Sequence, residues 1–189
     1  FGVGTYAINN DTLTENVFYR GSDTSMNDSE AAYKLTITKT GNGYTQAIPD
    51  IEWGSQGKVT LSENYESVGT ASASPLDGLW KLEKGYNIKG TDTSVNTVTQ
   101  FKMYHNGHFL FGHTWKDSAQ NISTGMGYGS FTMDGNTTLV ESVKASNYSS
   151  IRGQTIDIAI EMNGTDGYTQ TITSADGVKS VEVYERVKR

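Results

Sequence analysis

The chain contains no cysteine, so it offers neither disulfides nor thiolate metal sites, and the redox compartment stays open. Proline is nearly missing, with two in 189 residues. Positive charge is scarce: 15 Lys and Arg stand against 21 Asp and Glu, a formal net charge of -6. No basic stripe is present, which excludes a nucleic-acid footprint, and the acidic balance favours solubility. No apolar run is long enough to cross a bilayer as a helix. Helical periodicity of useful length is also missing. The first residue is Phe1, with no signal peptide visible, so the expectation is that something upstream was removed or never included. What the chain does have is 21 glycines, with Thr, Tyr and Val at short spacing. Such a composition suits many short strands joined by turns.

The chain also says the same thing twice. Phe1-Gly2-Val3-Gly4-Thr5-Tyr6 aligns with Met126-Gly127-Tyr128-Gly129-Ser130-Phe131. Leu13, Glu15 and Val17 fall on Leu139, Glu141 and Val143, and Gly43-Tyr44-Thr45-Gln46 on Gly167-Tyr168-Thr169-Gln170. Val59, Glu63, Tyr65-Glu66 and Val68 fall on Val178, Glu182, Tyr184-Glu185 and Val187. Order is kept throughout, which is the mark of an internal repeat. Only the second copy has the stretch Gly78–Gly125. The organisation expected is therefore the back half of one unit over 1–68, a small polar linker over 69–77 ending beyond Pro75, and a complete unit over 78–189.

Within the complete unit the alternation and turn signals predict eight strands, near 79–88, 98–105, 108–115, 127–134, 138–145, 154–162, 167–173 and 178–187. Asn106-Gly107 predicts a two-residue hairpin turn. The fold class is all-β: an eight-stranded antiparallel up-and-down barrel, with a sandwich as competitor, plus a five-stranded partial copy. Five strands alone cannot close a barrel, and open edges invite pairing. The missing half then comes from chain upstream, the favoured reading, from another chain, or from an exchange of halves between the two copies.

Period-two alternation places Ile156, Ile158, Ile160 and Met162 inward, with Tyr33, Leu35 and Ile37 as their counterparts. Phe131 and Met133 also face in, after Gly127 and Gly129, which bend the strand or leave room for a guest. Glu141 and Gln170, and likewise Glu15 and Gln46, fall on inward faces beside Tyr168 and Tyr44. A buried carboxylate costs several kcal/mol, on the order of magnitude, unless paired, so each glutamate needs a partner: a side chain, water or a ligand. In the hairpin 101–115, Phe101, Met103, His105, His108 and Leu110 share one face, and Tyr104, Phe109, Phe111, His113 and Trp115 the other. Parity does not say which points out, but an exposed set of this kind marks an interface, either within the chain or in a homodimer.

Several chemical motifs are weighed and set aside. The hairpin puts His113 on the face opposite His105 and His108, so no metal site is expected. No G-x-S-x-G elbow occurs, and the glycines at 125, 127 and 129 open no helix. Glu141 and Glu182 could form an acid–base pair only at a separation that sequence does not give. No catalytic residue and no cofactor is expected.

Gly78-Leu79-Trp80 at the head of the first strand resembles the G-x-W signature of lipocalins. His108-Phe109-Leu110-Phe111, the Gly127–Phe131 run, Leu139-Val140-Glu141 and Glu182–Val187 resemble lipocalin-like domains of secreted lipoproteins from Bacteroides-type bacteria. The resemblance implies a calycin-type barrel in which Arg186 caps Trp80. It also implies export to the periplasm or cell surface, with membrane attachment only through a lipid anchor that this chain lacks. The function expected is a non-enzymatic binding protein holding a small, partly apolar ligand. Glu141, Tyr168, Gln170 and Phe131, with Glu15, Tyr44 and Gln46 in the partial copy, would contact it. The alternative is a filled barrel acting through its outer aromatic surfaces.

Overall fold

Asn106 and Gly107 both adopt positive φ, +48° and +76°, the conformation that lets a two-residue turn follow the twist of its strands. The turn joins β8 (Thr99–His105) to β9 (His108–Lys116) in the register His105 opposite His108. The computed structural model describes residues 1–22, 25–69 and 73–188, with residues 25–31 by backbone alone. The linker expected over 69–77 falls partly on 70–72, and the last residue of the expected 78–189 unit is Arg189; both lie outside the described residues.

Two compact units form. The larger one is built on β6 (Gly78–Lys89), β7 (Asp92–Asn96), β8, β9, β10 (Ile122–Asp134), β11 (Thr138–Ser146), β12 (Thr155–Met162), β13 (Gly167–Thr173) and β14 (Lys179–Arg186). Apart from β7, each strand pairs antiparallel with its neighbours in sequence, and β14 returns to β6 with Tyr184 opposite Leu82 and Arg186 opposite Trp80. The sheet is therefore a closed eight-stranded barrel, and the sandwich is excluded. β7 was not predicted. It pairs only with the outer end of β6, and Val95 is exposed, so its sequence carries no alternation to read.

Trp80, Leu82, Tyr104, Phe109, Phe131, Leu139, Ile158, Ile160, Tyr168 and Tyr184 fill the barrel interior, with Met133, Ile156 and Met162 partly buried against them. This settles the hairpin: Tyr104, Phe109, Phe111, His113 and Trp115 point in, and of the other face Met103, Leu110 and His105 are exposed, His108 is half-buried and Phe101 is buried. Leu76, placed with the linker by its polar company, is wholly buried in this core.

The inward glycines of β10 leave room, but not for a guest. A Cβ on Gly127 would come 2.7 Å from the Phe111 ring, and one on Gly129 would strike the Ser142 carbonyl and lie 3.0 Å from Phe109. The space they leave is taken by the protein's own phenylalanines.

The second unit is a five-stranded antiparallel meander of β1 (Gly2–Asn9), β2 (Thr12–Arg20), β3 (Ser25–Thr40), β4 (Gly43–Glu52) and β5 (Lys58–Glu66). Its registers match those of β10–β14 over most of each strand pair, with extra pairs at the far ends of β2–β3 and β4–β5. Leu13 faces Leu35 as Leu139 faces Ile158, and Gln46 faces Glu63 as Gln170 faces Glu182. The bulge at Val3/Gly4 corresponds to that at Tyr128/Gly129, and a Cβ on Gly4 would strike the Asn16 carbonyl much as one on Gly129 strikes that of Ser142. The burial differs: Tyr33, expected inside, is 41% exposed. Among the described residues, no further strand pairs with either edge of this sheet, β1 or β5.

Candidate functional site

The barrel interior is mostly apolar, yet a row of polar side chains crosses it. β8 alternates inward Gln100, Lys102 and Tyr104, all buried. Lys102 donates all three of its N–H groups: to Glu141 Oε1 at 3.0 Å, to Gln170 Oε1 at 3.1 Å and to the Tyr104 hydroxyl at 3.3 Å. Tyr104 donates in turn to Glu141 Oε1 at 2.6 Å. Lys102 and Glu141 thus form an ion pair with side chains each 5% exposed, its cost of desolvation offset by the three hydrogen bonds of the ammonium and by the second donor, Tyr104, on Glu141 Oε1.

Gln170 carries the row onward. Its Nε2 donates to Glu182 Oε2 at 2.7 Å, and the Tyr184 hydroxyl donates to the same oxygen at 2.6 Å. Gln100 Nε2 donates to Tyr184, and Gln100 Oε1 lies 3.2 Å from His113 Nδ1. His113 Nε2 meets the Tyr148 hydroxyl at 2.5 Å. An amide oxygen can only accept, so Nδ1 carries the proton and Nε2 accepts from Tyr148. Hydrogen bonds therefore run in one direction, from Tyr148 through His113, Gln100 and Tyr184 to Glu182. Burial, first, pushes the Tyr104, Tyr168 and Tyr184 hydroxyls well above the ordinary phenol range, so all three stay protonated; Tyr104 and Tyr184 donate as described, whereas the buried Tyr168 hydroxyl has no hydrogen-bond partner among the described residues. Burial also lowers His113, favouring the neutral ring that the row requires.

The outer end of the row is half-open. Tyr148 lies in the loop between β11 and β12, which Ser146 and Arg152 hold in place. Ser146 Oγ accepts from the Tyr148 amide at 3.0 Å, and Arg152 donates twice to the Ser146 carbonyl, at 3.1 and 2.9 Å. The Tyr148 ring lies 6.4 Å from Trp115, nearly parallel at 20°, and His113 packs edge-on to Trp115 at 5.3 Å. All three are partly buried. Gly125 makes the cluster possible, because a Cβ there would collide with both His113 Nε2 and the Tyr148 hydroxyl.

The opposite end is sealed. Arg186 stands 4.0 Å over the Trp80 ring, and donates to the carbonyls of Asp77 at 2.6 Å, Thr165 at 2.9 Å and Pro75 at 3.2 Å. Trp80 Nε1 donates to the Leu76 carbonyl at 2.7 Å, and Tyr168 packs edge-on to the indole at 4.8 Å. Gly78 has φ +141°, and a Cβ there would strike the Arg186 guanidinium. That is the physical reason for glycine two residues before the tryptophan.

The expected site residues are thus distributed as follows. Glu141, Tyr168, Gln170 and Phe131 are all buried inside the barrel, where Glu141 and Gln170 are occupied by Lys102, Tyr104 and Glu182. In the other unit, Gln46 donates to Glu63 at 2.8 Å, as does Tyr65 at 3.2 Å, and Tyr44 stacks on Tyr65 at 4.9 Å. Tyr168 stacks on Tyr184 at 4.7 Å in the same arrangement. Glu15 is partly buried, with no salt bridge among the described residues. Sequence reasoning missed Lys102, Gln100 and Tyr148. The first two stand on the same parity as Tyr104, a signal that was available. Tyr148 sits in a loop, where alternation says nothing. Among the described residues, no three His, Asp or Glu side chains converge as metal ligands.

The chain is similar to a redesigned β-barrel, at 17% identity and a TM-score of 0.41, covering 65% of this chain and 100% of that one. It is also similar to a lipocalin-like protein from Bacteroides uniformis, at 13% identity and a TM-score of 0.39, covering 60% of this chain and 100% of that one. No curated protein matches the chain. The family described as a domain of unknown function, DUF4488, matches residues 75–189, from just before the Trp80 seal to the end of the closing strand, and the chain belongs to that family.

Proposed function

We propose that the barrel is a non-enzymatic binding module whose ligand sits at the half-open end, against Trp115, Tyr148, His113 and Gln100. One observation carries this reading: a partly exposed aromatic pair lies directly on a hydrogen-bonded row that leads into the barrel. Aromatic faces with a few fixed polar groups are the usual makings of a small-molecule site. The deeper residues Glu141, Gln170 and Phe131 are support for this site rather than contacts, because a guest beside them would have to break the Lys102–Glu141 pair. The ligand class is a small, flat, partly apolar molecule that stacks on Trp115 or Tyr148 and exchanges a hydrogen bond with the Tyr148 hydroxyl.

Native mass spectrometry of the purified chain, beside a denatured run, tests the proposal. A mass excess that disappears on denaturing, and is absent from Trp115→Ala and Tyr148→Ala, supports it. A bare mass, together with unchanged Trp fluorescence across aromatic carboxylates and phenols, counts against it.

A second reading has its own observation. On the outer face, Met103, Leu110 and Tyr128 are neighbours across β8, β9 and β10, and all are exposed. A filled barrel would use this row for self-association, and Leu110→Lys would then reduce the hydrodynamic size.

We also infer that β1–β5 are a copy of β10–β14 lacking its facing strands. The matched registers, the matched bulge and the repeated Gln–Glu–Tyr–Tyr cluster support this.

A further inference from the structure

In the barrel, β10–β14 are covered by three strands. β9 pairs along the outer edge of β10, β6 pairs along β14, and β8 lies between β9 and β6. The corresponding edges of the smaller sheet, β1 and β5, have no such neighbour among the described residues. Unpaired edges of this kind are templates for an added strand.

The face between those edges shows the same deficit. Phe131 is 6% exposed, whereas Tyr6 at the equivalent position is 72% exposed; Tyr184 is fully buried, whereas Tyr65 is 41% exposed. Ile8, the counterpart of Met133, is 58% exposed. Charge is unbalanced in a matching way. Glu141 receives Lys102 from β8, but no cation reaches Glu15 among the described residues, although Glu63 keeps its Gln46 and Tyr65 donors. In the barrel, Phe131 packs against Tyr104, Tyr184 bonds Gln100 and Glu141 pairs with Lys102, all three partners standing on β8.

We propose that the inner face and both edges of the β1–β5 sheet are an interaction surface for a three-stranded antiparallel polypeptide segment with the chemistry of β6, β8 and β9. That chemistry is a mainly aromatic inward face carrying a few hydrogen-bonding side chains, as Gln100 and His113 do in the barrel, with one inward lysine placed against Glu15. The proposal rests on reading β1–β5 as a copy of β10–β14. The lysine gives it register as well as affinity, because a slip of one residue would turn the cation to the opposite face.

The test fuses a second copy of the 74–116 sequence ahead of Phe1 in the full chain, through a flexible linker, with and without a Glu replacing the lysine of the added copy. Amide hydrogen exchange and 8-anilinonaphthalene-1-sulfonate fluorescence are read on each protein. In the unmodified chain, protection across the Leu13–Leu35 and Gln46–Glu63 pairings checks the copy reading by itself. The fused chain should then slow exchange along β1 and β5 by on the order of a hundredfold and cut dye fluorescence several-fold. The charge-reversed fusion should do neither. Unchanged exchange along β1 and β5 in the fused chain would overturn the proposal, as would equal protection by the charge-reversed segment. Concentration-dependent protection of these edges in the unmodified chain would name a second copy as the occupant, and would overturn it too.

Discussion

Lys102 Nζ lies 3.0 Å from Glu141 Oε1 in the middle of the barrel, where both side chains are shielded from water. The pair solves the problem that an inward glutamate poses, and it does so with a residue of the chain rather than a guest. On the binding reading proposed above, it also sets how deep a ligand could go. The apolar floor on Trp80 and the ion pair above it fill the sealed end, leaving the His113–Trp115–Tyr148 cluster as the accessible part.

Removing one member should cost far more than removing both. Lys102→Met leaves Glu141 as an uncompensated buried charge and is expected to lose about 3–5 kcal/mol in urea unfolding. Lys102→Met combined with Glu141→Gln keeps an acceptor for Tyr104 without a net charge, and should recover a large part of that loss. Equal losses in the single and double variants would mean that the pair is not electrostatically coupled.

Much of this was legible in the chain, and the parts that were not share a cause. All eight barrel strands announce themselves because alternation records the face that each turns to the interior. β7 buries neither face and so has no signature. β10 begins at Ile122, ahead of its expected start, because residues 122–126 pair with β9 over a stretch broken by glycine. Lys102 was missed although its parity matched Tyr104, since a lysine in a strand ordinarily reads as a solvent-facing residue. Leu76 was hidden among small polar neighbours. Chemistry at the half-open end depends on Tyr148, brought in by a loop, and no periodicity reports what a loop brings.

At the sealed end, Gly78→Ala is expected to destabilise the barrel by about 1–3 kcal/mol, from backbone strain at positive φ and displacement of Arg186. Arg186→Ala should cost about 2 kcal/mol through the lost cation–π contact and carbonyl hydrogen bonds. Because both changes disturb the same guanidinium, the double variant should fall short of their sum. Thermal unfolding of the three proteins would show additivity if they act independently.

Along β10, Gly129→Ala should be worse than Gly127→Ala. The new methyl at 129 meets a backbone carbonyl that cannot move without breaking the ladder, whereas at 127 its first contact is the Phe111 ring. Overpacking of this kind costs about 1–3 kcal/mol. Gly127→Ala with Phe111→Leu should restore stability, whereas Gly129→Ala with Phe109→Leu should not. Rescue of both would place the obstruction in side chains alone.

His113 should make stability depend on pH in a predictable direction. Burial lowers its folded-state pKa below the unfolded value near 6.5, so the unfolded chain binds this proton more readily than the folded one. Its contribution is therefore unaffected above that value and unfavourable below it, the loss growing as pH falls from about 6.5 towards the folded-state pKa. Protonation also places a second donor at Nε2, where the Tyr148 hydroxyl now donates, so Tyr148 must turn and present its oxygen instead. The Tyr148 ring stacks on Trp115, so, on the binding reading proposed above, ligand affinity at the half-open end should weaken over the same pH range. His113→Gln removes the titration, and melting curves from pH 8 to pH 5 should flatten in that variant relative to the parent. Tyr148→Phe removes only the competing donor; it should retain the pH slope while losing its effect on the tryptophan emission. Parallel slopes in the parent and His113→Gln would assign the pH dependence to the carboxylates instead.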